Sequence, residues 1–284
     1  MKSRWAGHVM RAAAAMSLVP GSLGAQGQWR IDLRVDNDLF VEFSPTRSSD
    51  HEYTHGTALT AESLDSWGPC GDGRRLLVDL SQRLFTPRDE TPGAPGQRSD
   101  AGWLRLQAGC VSRTGPSRGS IRFTLGVVGP LSGGEQAQRA VHRLLHFREP
   151  RRWAEQLPNR ADVAVGVGHR LLLTPPSAPV GLWLEGDIDA GTVRSSVRGA
   201  AAFSLRSGGH PDTGLALRVG ASAVGNDYLL QGLATRRLLG WASLDGSLVM
   251  HRVVLSYGLT TRTRSYEEEP GGFIFGTIGV GFYW

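Results

Sequence analysis

The chain has 284 residues, of which 38 are glycine, 40% hydrophobic and 20% charged, with a formal net charge of +5. No run reaches the roughly 18 uninterrupted apolar residues that a membrane-crossing helix needs, which excludes a helical membrane protein. The basic balance does not indicate nucleic acid, because the 26 acidic residues are spread along the chain and no basic cluster is interleaved with aromatics.

The first 25 residues read as a secretory signal. Lys2, Arg4 and Arg11 form a basic segment, Ala12 to Val19 a short apolar core, and Leu23-Gly24-Ala25 a small-residue cleavage site before Gln26. Residues 26–284 then form one domain.

That domain is patterned as strands. Alternating apolar and polar runs predict them near 29–40, 51–62, 75–85, 101–112, 119–129, 161–173, 181–190, 195–206, 213–223, 234–245, 248–262 and 272–284. In the last of these, Ile274, Ile278, Val280, Phe282 and Trp284 share one face, and Thr277, Gly279, Gly281 and Tyr283 the other. Around residue 201, Val197, Ala201, Phe203 and Leu205 oppose Arg198, Ala200, Ala202 and Ser204. Small and charged side chains thus share one face and aliphatic and aromatic ones the other, as expected of a polar lumen and a lipid-facing wall. A soluble sandwich also alternates, but it would hide the apolar face. The fold class expected is all-β: a twelve-stranded antiparallel transmembrane β-barrel of the outer membrane, with its ends in the periplasm and a short helix in the third extracellular loop.

Cys70 and Cys110 are the only cysteines. Secretion permits a disulfide. Cys70 falls in the first inner turn and Cys110 near the inner end of the fourth strand, close enough to meet; two independent thiols are the other reading. No Cys/His spacing suits a structural zinc.

The helix lies in the stretch from Gly126 to Leu157. Gln138 and His142 are one turn apart and share a face, and Ala137, Ala140, Val141, Leu144 and Leu145 give an apolar side to lay against something greasy. An ordinary amphipathic surface helix with an incidental histidine is the plain alternative.

Several motifs occur in order: Asp36-Asn37-Asp38-Leu39-Phe40, Tyr53-Thr54-His55-Gly56, Arg98-Ser99-Asp100-Ala101-Gly102-Trp103, Gly129-Pro130, Gln138-x-x-x-His142, and Trp153-x-x-Gln156-Leu157. The series resembles the outer-membrane lipid A 3'-O-deacylase family from about residue 29 to the C-terminus. The resemblance implies a twelve-stranded barrel that hydrolyses the ester-linked acyloxyacyl group at the 3' position of lipid A with Ca2+. Residue by residue, it implies His142 as base with Asn37 and Thr54 as active-site residues. It further implies Asp38 as a calcium ligand, and Arg98 and Gln138 as substrate contacts. Lipopolysaccharide would be the substrate partner and outer-membrane lipids the surroundings, with the protein acting as a monomer.

The chain departs from the family pattern in three places. Ser99-Asp100 replaces Pro-Tyr, His55 replaces Asn, and Arg152 replaces the Gly before Trp153; the first would set an acid beside the substrate.

The residue types suit the chemistry. Histidine titrates near neutral pH and can take a proton from water, calcium takes oxygen ligands such as those of Asn37 and Asp38, and no Gly-x-Ser-x-Gly elbow supplies a serine nucleophile. Plain readings stand beside these: Asp36-Asn37-Asp38 as a turn, Thr54 as a strand residue, Arg98 as a solvated loop charge. Strict alternation from Leu33 and Val35 sets Asn37 on the lipid side and Asp38 inside, so a bulge or twist is needed to bring both to one site. The alternative functions are an outer-membrane phospholipase or esterase, and a non-catalytic structural barrel.

Overall fold

The computed structural model describes residues 29–41, 52–89, 91, 94–147, 150, 152–206 and 213–284. The expected signal segment, 1–25, lies outside the described residues. The strands are β1 (Trp29–Asn37), β2 (His55–Ser63), β3 (Arg74–Phe85), β4 (Ala101–Thr114), β5 (Ser117–Val128), β6 (Arg160–Leu172), β7 (Val180–Gly191), β8 (Arg194–Arg206), β9 (Gly214–Asp227), β10 (Leu238–Met250), β11 (Val253–Arg262) and β12 (Phe273–Tyr283), with one α-helix among the described residues, α1 (Gly134–Leu145), between β5 and β6. All neighbours pair antiparallel, and β1 pairs with β12 to close the barrel.

Closure satisfies every strand edge, which a bilayer demands because lipid offers no hydrogen bonds. The wall is inside-out relative to a soluble protein. Leu59, Leu80, Leu106, Leu125, Val165, Leu184, Leu217 and Leu255 are all exposed on its outer face. Arg34, Asp79, Arg105, Arg170 and Arg218 line an inner cavity. Arg122 reaches Asp187 at 2.8 Å, and Arg218 reaches Asp245 at 2.6 Å. The period-2 pattern produces this split, since successive side chains point to opposite faces.

Some strand bounds differ from the sequence expectation. The tenth begins at Leu238 rather than 234 and runs to Met250. Thr235 instead bridges to Tyr266, and the two residues His251 and Arg252, the former with φ 57, turn the chain into β11. The first strand stops at Asn37, three residues early, because a 3-10 turn begins at Asp38.

The long connections after β1, β3, β5 and β11 lie at one end and the short turn joining β4 to β5 at the other, the usual asymmetry of extracellular loops and periplasmic turns. Cys70 and Cys110 are disulfide-bonded, tying the first periplasmic turn to β4. The bridge closes a 40-residue separation, which in the chain-entropy limit stabilises by about 4 kcal/mol. Unfolded, unreduced protein should therefore give no free thiols, and Cys70→Ser should lower the thermal unfolding midpoint in detergent; one reactive thiol or more per chain would contradict the bridge.

Candidate active site on the outer wall

Cross-strand register places one row of residues on the lipid-facing side near the extracellular rim. Asn37 pairs with Gly276 on β12 and with His55 on β2; His55 pairs with Leu84 on β3, and Leu84 with Gly102 on β4. Neighbouring strands are about 4.8 Å apart, so Asn37 and Leu84 are separated by roughly 10 Å. Two pieces of chain cover the ends of this row. Gly276 lies directly beneath Phe40, and a Cβ added at Gly102 would stand 2.9 Å from Cα of Gly134 at the start of α1. Between them lie Asn37 and His55.

The Asn37–Asp38 pair reaches this place by a device other than a bulge. Asn37 is the N-cap of the 3-10 turn Asp38–Phe40, its side-chain oxygen accepting from the Leu39 N–H at 2.7 Å. The turn ends strict alternation at Asn37 and folds the chain back over the outer wall, where the Phe40 carbonyl accepts from the Tyr257 hydroxyl at 3.0 Å. Asp38 is left buried at 6% exposure. The Asn37 amide nitrogen lies 3.5 Å from His55 Nδ1, while His55 Nε2 lies 2.8 Å from the Thr57 hydroxyl. Thr54 precedes His55 and is buried, its hydroxyl 2.5 Å from that of Thr86 and its N–H donating to the Leu84 carbonyl at 3.1 Å.

The third loop folds down onto the same quarter of the wall. Gly129 has φ 97 and runs against the returning chain, where a Cβ would meet the Leu157 carbonyl at 2.7 Å, so only glycine fits before Pro130. Gln82 on β3 then donates to the Ser132 carbonyl at 2.7 Å, and Gly134 packs on Gly102 and Leu84. Gly134, Gln138 and His142 are the buried residues of α1. Their i, i+4, i+8 spacing makes one stripe, and the packing of Gly134 turns that stripe to the wall. The helix is therefore polar on its inner side. Its apolar residues Val141 and Leu144 point outward, Leu144 being 78% exposed, so the greasy surface they meet is the bilayer rather than the protein. His142 sits two turns beyond Gly134, about 12 Å along the axis, edge-on to Phe147 with ring centroids 5.8 Å apart. His146, the other histidine of this segment, is the exposed, left-handed C-cap and does not share the stripe.

Gln138 and Arg98, the expected substrate contacts, both make buried hydrogen bonds within the protein. The Gln138 side-chain oxygen accepts from the Trp153 indole N–H at 2.6 Å, and Trp153 is almost fully buried against Gly134. Gln138 thus fastens the returning loop to the helix. Gln138→Leu would leave a buried indole N–H unsatisfied, at about 1–3 kcal/mol; we expect a red-shifted, quenchable tryptophan emission. Arg98 is 2% exposed and stands in the mouth of the barrel, donating to the carbonyls of Glu52 at 3.2 Å and Leu229 at 3.3 Å with its guanidinium over the Phe85 ring. The Phe85 ring it covers follows Leu84 of the outer row in β3 and so points to the opposite face of the wall.

The three departures from the family pattern have visible settings. Arg152 donates to the Asp89 carbonyl at 2.7 Å and pairs with Glu155, tying the second and third extracellular loops together. Asp100 is buried, with its carbonyl accepting from the Leu157 N–H at 2.9 Å, so it is not a solvent-facing acid beside the site. His55 lies in the row itself. A motif comparison marks it only as a departure; its adjacency to Asn37 follows from strand register.

The family model for outer membrane protein LpxR matches residues 8–284. The chain belongs to the LpxR family. It is accordingly an outer-membrane barrel of the lipid A 3'-O-deacylase family. Among solved structures, LpxR from Salmonella typhimurium superposes with a TM-score of 0.75 at 18% identity, covering 90% of this chain and 100% of that one, which shows a shared fold. The NanC porin (TM-score 0.47, 9% identity, covering 89% of this chain and 100% of that one) and the translocator domain of autotransporter NalP from Neisseria meningitidis (TM-score 0.43, 11% identity, covering 98% and 95%) are more distant barrels. A search of curated proteins by sequence found no match.

Proposed function

We propose that this LpxR-family protein is a monomeric, calcium-dependent lipid A 3'-O-deacylase in which His142 activates water for attack on the 3' ester. The observation that carries the reading is the side of the wall on which the polar row lies. Asn37 and His55 belong to the outer-wall row that Leu84 and Gly102 continue, and α1 seats Gly134 on Leu84 and Gly102 with Gln138 and His142 on the same buried stripe. A channel would direct its polar site into the lumen. An enzyme acting on a lipid of the outer leaflet needs it on the outer wall, where the acyl chains are.

The oxygen donors present fit a hard cation. Asp38 offers a buried carboxylate, and Asn37 and Thr54 an amide oxygen and a hydroxyl. Among the described residues no group of three or more His, Cys, Asp or Glu side chains converges, so further ligands would be hydroxyl, amide, backbone or substrate oxygens, a set suited to calcium rather than zinc. Asp38, with Asn37, would hold the ion; when bound, calcium supplies positive charge near the ester carbonyl oxygen. The His142 imidazole accepts a proton from water as its oxygen bonds to the carbonyl carbon. The bond from that carbon to the 3' oxygen then breaks, and the proton passes to the departing sugar oxygen. The products are a fatty acid and a free 3' hydroxyl. The helix and Trp153 loop hold the base over the wall, and the exposed Val141 and Leu144 seat it in lipid.

Mass spectrometry of lipid A and of phospholipid incubated with purified protein tests the assignment. We expect lipid A to lose the 3' acyloxyacyl mass, phospholipid to be unchanged, and EDTA to stop the reaction until calcium is restored. Cleavage of phospholipid in place of lipid A would identify a phospholipase, and no cleavage of either a structural barrel.

A further inference from the structure

A buried polar assembly in the mouth of the barrel centres on Glu52, which the proposed chemistry does not use. Glu52 is nearly inaccessible, and its φ of 65 is left-handed, a conformation that non-glycine residues rarely take. Tyr266, fully buried in the loop between β11 and β12, donates its hydroxyl to Glu52 Oε1 at 2.6 Å. Arg98 stands 3.5 Å from Glu52 Oε2 and also donates to the Glu52 carbonyl. Burial and the adjacent Glu52 carboxylate push the Tyr266 phenol well above its ordinary pKa, so it remains a proton donor. Held backbone conformations of this kind persist where their surroundings over-determine them, and they concentrate at functional sites.

The segment that starts at Glu52 runs directly into the row on the outer wall. The Glu52 N–H donates to the Thr86 carbonyl at 2.9 Å, and Thr54, two residues on, meets the Thr86 hydroxyl and the Leu84 carbonyl. Between them Tyr53 packs on Phe85 and Phe275 and donates to Asp36 at 2.7 Å, one residue before Asn37. The chain therefore passes from the mouth of the barrel to the site within three residues. Anything that fixes Glu52 fixes the placement of Thr54.

We propose that Tyr266 and Glu52 form a latch in the barrel mouth that positions Thr54 for catalysis on the opposite side of the wall. The latch rests on the assignment of Thr54 to the deacylase site. Tyr266 and Glu52 are positioning residues; they act through the 52–54 segment. A plug that merely closed the lumen would alter stability or conductance and leave turnover alone.

The test is steady-state lipid A deacylation by purified, refolded barrels. Tyr266→Phe removes one hydroxyl and should lower kcat by about tenfold, the scale of one hydrogen bond to a charged group, with KM and the heat-modifiability shift unchanged. Glu52→Gly relieves the left-handed backbone while removing the carboxylate, and should also lose turnover. In a Thr54→Ala background Tyr266→Phe should cause no further loss, since residues acting through one another are not additive. Wild-type kcat in Tyr266→Phe or Glu52→Gly, or losses that simply multiply in the double variant, would overturn the latch. Full activity in Thr54→Ala would overturn the Thr54 assignment and the latch together, whereas an inactive Thr54→Ala beside a fully active Tyr266→Phe would overturn the latch alone.

Discussion

Replacing His142 by Ala or Asn should reduce lipid A deacylation by about 10²–10⁴-fold, the usual contribution of a positioned general base. The barrel should still fold, insert and show its heat-dependent mobility shift. Both halves of this expectation have a structural basis. Barrel closure runs through the twelve strand pairings and owes nothing to the helix, and the neighbouring imidazole, His146, is exposed on the C-cap and off the wall-facing stripe. His146→Ala is therefore the natural control and should retain wild-type turnover. Removal of calcium should reproduce the His142 phenotype, and Asp38→Ala should raise the calcium concentration needed for half-maximal rate. A His142→Ala barrel that folds like wild type and still removes acyl chains at a comparable rate would end the histidine-base mechanism.

The barrel itself was legible because its code is local. A period-2 pattern can be read one strand at a time, and Val197, Phe203 and Leu205 take the lipid-facing positions that their spacing implies. The even strand count and the helix between the fifth and sixth strands follow from the same local reading. Strand ends were less legible. Asn37 continues the alternation of Leu33 and Val35 perfectly well, and what ends β1 there is a side-chain cap that depends on backbone geometry beyond the strand. Asparagine followed by aspartate hinted at a turn, yet a bulge and a 3-10 turn leave the same trace in sequence.

The orientation of α1 was legible only in part. Its two faces were plain from Gln138, His142, Val141 and Leu144, but a soluble helix with that pattern would turn its apolar side inward. Beside a bilayer the logic inverts. Arg98 and Gln138 show the opposite limit. Their motifs single them out, and both are buried, but a contact between Arg98 and the carbonyl of Leu229 joins residues 131 apart in sequence. No local pattern encodes such a contact. His55 is intermediate, since its adjacency to Asn37 follows from register once β1 and β2 are paired.

The seating of the helix on the wall gives the second large effect. Gly102→Val should lower deacylation by at least about a hundredfold, the scale on which a 1 Å misplacement of catalytic groups acts, while leaving the barrel folded. Any Cβ at Gly102 points at the Ser132 hydroxyl and at Gly134, 2.9 Å from its Cα and 3.1 Å from its nitrogen. Two of these neighbours are backbone, so no rotamer change relieves the clash, and the start of α1 has to lift off β4. The strand can absorb the change, because a β-branched residue suits a lipid-facing strand position and the ladder to Leu84 is backbone. The helix cannot. Displacement of Gly134 carries Gln138 and His142 with it, since they share one rigid stripe. Gly199 provides the matched control: it is also a strand glycine on the lipid-facing side, but a Cβ there meets nothing within 4 Å, so Gly199→Val should leave turnover unchanged. Tryptophan emission adds a readout independent of activity, because Trp153 packs on Gly134 and would become more exposed in Gly102→Val alone. Unaltered emission together with wild-type deacylation in Gly102→Val would show that α1 does not sit where Gly134 meets Gly102, and the placement of His142 over the outer wall would fall with it.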